Sequence, residues 1–167
     1  MALNENVTVL SFKGGHQETW SDLFQTNLAA LFQQALLLTA DSQAAEANLA
    51  AVINTLDLSK QPDDDALAVV QVALARQSIE GCGIISSAGV AGARSLLQPG
   101  LLPVLQLERS RRVCFVLRML FGYPTLDCAA MLGIDEGGVK VSLRVAVLQL
   151  QNAALGTSLV LKKGLEA

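Results

Sequence analysis

Residues 122–150 read GYPTLDCAAMLGIDEGGVKVSLRVAVLQL, and their spacing decides the fold. An apolar helix over 126–132 breaks at Gly133, turns through Ile134 and Asp135, and restarts at Glu136. Gly133 supplies the left-handed backbone that such a turn requires. Ala129 and Ala130 let the two helices approach, and Ile134 plugs the corner between them. The pattern is a helix-turn-helix, which presents its second helix to a DNA major groove.

The second helix carries two apolar stripes. At 100° per residue, Val139, Leu143, Ala146 and Leu150 line one side and face the core. Val141, Val145 and Leu148 line the opposite side, where a DNA reader needs polar groups. Lys140, Ser142 and Arg144 are the remaining candidates for DNA contact on this helix. Each exposed Val or Leu forgoes roughly 1.5–3 kcal/mol relative to burial, so the outer stripe asks for a cover. Thymine methyl groups are one apolar partner available to Val141, although three apolar positions exceed that need.

The rest of the chain reads as helical. Of its 167 residues 51% are hydrophobic and only 4% aromatic, a composition suited to close-packed helices. An amphipathic pattern (Leu23, Phe24, Leu28, Leu31, Phe32, Ala35, Leu38) follows a start signal at Ser21 and Asp22. Ser42 is placed to cap a second helix, with Leu49, Val52, Ile53 and Leu56 on its apolar side. Asp63, Asp64 and Asp65 after Pro62 suit the first turn of a third helix, from 66 to about 80. Capping is preferred over a metal site because no further ligands follow at loop spacing. Residues 81–103, rich in Gly, Ser and Ala, form a linker or a loosely packed helix. The expected class is all-α with two small helical domains. Short terminal β-strands are allowed at residues 6–13 and 158–163. The divisions are 1–80, a linker over 81–103, the helix-turn-helix domain over 104–152, and a tail over 153–167.

Several functions have little to build on. Cys82, Cys114 and Cys128 are odd in number and lack CxxC spacing, so buried thiols are expected. His16 is the single histidine. No phosphate-cradling glycine motif is present, and no cofactor, metal or catalytic residue is expected. The long uncharged runs, 23–40 and 145–161, carry Gln, Asn, Thr or Ser throughout, and no basic-then-apolar leader begins the chain. A cytoplasmic protein without a membrane partner is the expectation. Charge divides unevenly: residues 1–80 hold ten acids and three bases, and residues 81–167 hold five acids and nine bases. Either the basic half faces an acidic partner such as DNA, or the two halves attract each other.

In this arrangement the chain resembles RNA polymerase sigma factors of the extracytoplasmic-function group. The second domain carries the resemblance, through Arg112, Arg118, Gly122, Ala129, Leu132, Gly133, Ile134, Gly137, Val139, Lys140, Leu143, Ala146 and Leu150. The first is fainter, through Phe24, Ala35, Thr39, Asp41, Ala44 and Glu46. The resemblance implies a transcription-initiation protein that contacts DNA through Thr125, Gly138, Lys140, Ser142 and Arg144, and core polymerase through its first domain. Two departures stand against it. Residues 47–51 lack the acidic and Gln-Glu residues that grip the polymerase clamp. No aromatic residue lies between Phe32 and Phe115 to stack on melted DNA. The alternative is a degenerate sigma-like interaction module. There Val141, Val145 and Leu148 are a partner interface, covered by the protein's own acidic half or by a second copy in a homodimer.

Overall fold

The computed structural model describes residues 19–81 and 87–164, and all secondary structure among them is helical. Helix α1 (Trp20–Thr39) leads into α2 (Ser42–Thr55), α3 (Ala66–Glu80) and α4 (Ser87–Leu96). A 3-10 turn (Pro99–Leu101) and a short α5 (Leu102–Leu105) precede α6 (Arg109–Phe115), which ends in a π-helical turn over Val116–Leu120. The helix-turn-helix follows as α7 (Thr125–Leu132) and α8 (Glu136–Gly164). No described helix is long and apolar enough to cross a membrane.

Capping accounts for where the helices begin. Thr19 starts α1 with a capping box: its hydroxyl accepts from the Asp22 amide (3.3 Å), and the Asp22 carboxylate accepts from the Thr19 amide (3.0 Å). The start signal at Ser21 and Asp22 thus lies inside the helix, two residues after its cap. Helix α2 is capped by Asp41 and not by Ser42, since the Asp41 carboxylate accepts from the amides of Gln43 (2.9 Å) and Ala44 (3.0 Å). Helix α3 spans the residues its pattern predicts. Asp65 occupies its N-cap position without a side-chain capping bond, leaving the aspartates to act through the helix dipole.

The expected strand over 158–163 is absent, because α8 continues through it to Gly164. A helix already nucleated adds one hydrogen bond per residue it fixes, so Leu and Val in that stretch extend it at little cost. The predicted tail is therefore the far end of the helix that begins at Glu136. The other expected strand, residues 6–13, lies outside the described residues.

Helix α1 is the axis of packing. Its last six residues, Gln34 to Thr39, are buried on every side, and Leu31, Ala35, Leu36, Leu37 and Leu38 are all at most 2% exposed. Helices α2 and α3 cover it from one half of the chain and α6 from the other. One hydrophobic cluster consequently runs from Leu31 in α1 to Ala146 in α8, and the two halves share a core.

Two arginines of α6 join the halves at helix ends. Neither α1 nor α3 carries a base in its own last turn to meet the negative end of its dipole. Arg112, 4% exposed, donates to the Leu38 and Thr39 carbonyls at the end of α1 (3.5 Å each) and to the Leu107 carbonyl (3.3 Å). Arg109 donates to the Ile79 carbonyl in the last turn of α3 (2.6 Å). The attraction between a basic and an acidic half is thus expressed through backbone carbonyls. The ion pairs Lys60–Asp57, Arg111–Glu108 and Lys140–Glu136 each join residues three or four apart.

The segment read as a linker or loose helix packs closely. Gly89 and Gly92 of α4 sit against Asp41 and Ser42 so tightly that a Cβ on either glycine would land on those side chains. Ala93 and Leu97 are buried beside them.

Candidate nucleic-acid interface

The turn between α7 and α8 has the geometry its sequence predicts. Gly133 is left-handed (φ 65°) and donates its amide to the Ala129 carbonyl, as does Ile134 (3.2 Å). Asp135 begins α8 by accepting from the Gly138 amide (2.7 Å). Replacing Asp135 with Ala is expected to remove about 1 kcal/mol of stability, the ordinary contribution of such a cap, in equilibrium urea unfolding.

Two details of the turn differ from expectation. Ala129 is buried (6%) and permits the close approach of the helices, whereas Ala130 is exposed and takes no part in it. Ile134 is 42% exposed, so it lies at the rim of the corner and does not fill it. The core under the turn is made by Cys128, Ala129, Val139 and Ala146, packed on α6.

Cys114 and Cys128 are free, buried thiols. Burial pushes both above the ordinary thiol range. A hydrogen bond from Ser142 opposes that rise at Cys114. Ser142 itself is half-buried, and at 100° per residue it lies about 60° from Val139 and 40° from Ala146, on the inner side of α8.

The five candidate DNA contacts therefore separate. Lys140 and Arg144 are exposed on α8 one turn apart, and the Lys140 ammonium lies 3.9 Å from Glu136. Thr125 is the first residue of α7 and is half-buried. The Gly138 amide is engaged by Asp135 and is not presented to a phosphate. Ser142 faces inward. Sequence reasoning could not foresee the Gly138 contact, because a side chain that closes on its neighbour leaves no mark in residue spacing.

The inner stripe of α8 is as expected, with Val139 and Ala146 fully buried and Leu143 and Leu150 half-buried. On the outer stripe Val141 is 64% exposed and Leu148 52%, with Val145 half-buried. Docking of the recognition helix on the chain's own acidic half is thereby corrected. That half meets α6 and α7, while α8 packs on α5, α6 and α7. The sequence also gave no notice of Leu126, 66% exposed beside Thr125 on α7.

In the first half, an apolar groove of about 670 Å³ lies between α1 and α2, lined by Leu28, Phe32, Leu49, Ala50 and Ile53 with Glu46 at its edge. Among the described residues no group of His, Cys, Asp and Glu is placed to hold a metal ion.

Residues 104–150 match the family described as Sigma-70, region 4. The matched segment begins in α5 and ends within α8, so it includes α7, the turn, the first fifteen residues of α8 and the α6 arginines. No curated protein and no solved structure matches the chain.

Proposed function

We propose, from the sigma-70 region-4-like helix-turn-helix of residues 104–150, that this protein binds duplex DNA through the outer face of α8 in a non-catalytic, cytoplasmic transcription role. The carrying observation is the openness of that face. Lys140 and Arg144 stand on it, and the fold's own acidic half is held elsewhere by Arg109 and Arg112. Thr125, half-buried at the start of α7, is the further contact that the resemblance implies.

The likeness to the extracytoplasmic-function group extends this reading to the first half, with core polymerase as the partner. The surface there departs from what promoter melting needs. Asp63, Asp64 and Asp65 are exposed ahead of α3, and Val69 on that helix is 58% exposed with no aromatic residue beside it. Acidic and aliphatic groups neither neutralise phosphates nor stack on bases. The first half accordingly serves as a platform that does not open DNA.

Titration of the full chain with duplex DNA at low salt tests the reading. Measurable, salt-sensitive binding is expected. An absence of binding at low salt overturns DNA contact as an activity. Co-purification with core polymerase tests the first-half partner separately. A second copy covering Val141, Val145 and Leu148 is the competing occupant, and would show as a dimer in solution that DNA does not dissociate.

A further inference from the structure

The outer face of α8 is polar on one flank and apolar along its centre. Taking the buried Val139 and Ala146 and the half-buried Leu150 as the inward direction, Val141 and Leu148 lie about 160–180° away at 100° per residue. They point straight outward and are largely exposed. Gly137, also exposed, lies near the same direction one turn before Val141 and has no side chain to hold the helix off a surface. Lys140 and Arg144 are set about 40–100° to one side of this line, so both bases are on a single flank.

A convex helix with charge on one flank and an apolar centre fits a major groove in one way. The flank reaches the phosphates of one strand, and the centre meets the groove floor. The floor offers hydrogen-bonding edges at every base pair, and its one exposed apolar group in ordinary DNA is the thymine C5-methyl. Val141 is the sixth residue of α8, within the N-terminal portion that helix-turn-helix proteins insert. Polar base edges against Val141 would lose water without gaining a partner, which disfavours sites lacking the methyl.

We propose that Val141 is a specificity-determining residue that reads thymine methyl groups in the major groove, with Lys140 and Arg144 anchoring one strand beside it. The inference rests on the DNA-binding reading above and adds the ligand chemistry that the apolar centre selects. It explains why an outward valine is left uncovered within this chain: its cover is the groove floor.

The test compares the full chain on two alternating duplexes of equal length and salt, poly(dA-dT) and poly(dA-dU), which differ only by the C5-methyl. The repeat presents a methyl at every base pair, so register does not matter. The thymine duplex is expected to bind tighter by about fourfold per methyl covered, the effect of burying one such group. Val141→Ala, at an exposed position that leaves the core intact, is expected to abolish most of that preference. Equal binding of the two duplexes overturns the inference while leaving DNA binding in place. A preference undiminished in Val141→Ala also overturns it, because the discrimination would then come from duplex shape. Binding to neither duplex at low salt removes the DNA reading and the inference together.

Discussion

Replacing Arg112 with Ala is expected to destabilise the protein by about 3 kcal/mol, read as a lower urea midpoint with a largely unchanged slope. The guanidinium is buried and donates to three carbonyls, of Leu38, Thr39 and Leu107. Hydrogen bonds from a charged group contribute about 1.5–3 kcal/mol, and their loss leaves carbonyls at the end of α1 without these donors in a buried interface. The site is also where the chain's parts meet. Within it the Thr39 hydroxyl donates to the Ala35 carbonyl (2.8 Å), and the Asp41 amide donates to the Thr39 hydroxyl (3.3 Å). Lysine is a poor substitute, since one ammonium cannot span carbonyls that a planar fork reaches together. Arg109→Ala is the comparison. Its contact to Ile79 is exposed, and a loss of about 0.5–1 kcal/mol is expected. Equal effects at the two positions would show that Arg112 has no special place in joining the halves.

Gly89→Ala is the second large effect, again about 3 kcal/mol. The new methyl would occupy the space of the Asp41 carboxylate, which is 4% exposed and cannot swing into solvent without giving up its cap on α2. Overpacking costs about 1–3 kcal/mol, and loss of an N-cap adds about 1. Gly89 is the third residue of α4, so the carboxylate lies between the positive ends of two helices and favours both. Gly100→Ala is the control. A Cβ there meets nothing within 4 Å, and the substitution is expected to be neutral or slightly stabilising. Thermal unfolding of the two variants side by side separates a steric cause from a general dislike of alanine in this segment.

These two positions mark the boundary of what the sequence disclosed. Local spacing was sufficient for the helices themselves. The α3 limits, the Gly133 turn, the start of α8 at Glu136 and its inward stripe follow from periodicity and turn chemistry, which act over a few residues. The joints were not legible. Arg112 reaches carbonyls more than seventy residues away, and Gly89 matters only because Asp41 is folded beneath it. No local pattern announces such a partner, and a glycine-rich stretch looks loose whether or not something fills the space around it.

The candidate site shows the same division. Lys140 and Arg144 were candidates for DNA contact on the second helix, and both are exposed there. Ser142 and Gly138 were assigned to DNA through the resemblance, yet Ser142 is half-buried on the inner side of α8 and the Gly138 amide is taken by Asp135. The uncovered outer stripe was the open question. Its exposure at Val141 and Leu148 removes the chain's own acidic half as the cover and leaves an external one.

The central claim is that α8 meets DNA through Lys140 and Arg144 on an open face, and the salt dependence of duplex binding tests it most directly. Two phosphate contacts predict a slope of log affinity against log salt of about −1.8 for the unaltered chain. In the Lys140→Ala, Arg144→Ala double variant, folded because both side chains are exposed, the slope should collapse towards zero with the affinity. A double variant that keeps both its affinity and its slope would place the DNA contact elsewhere and contradict the account.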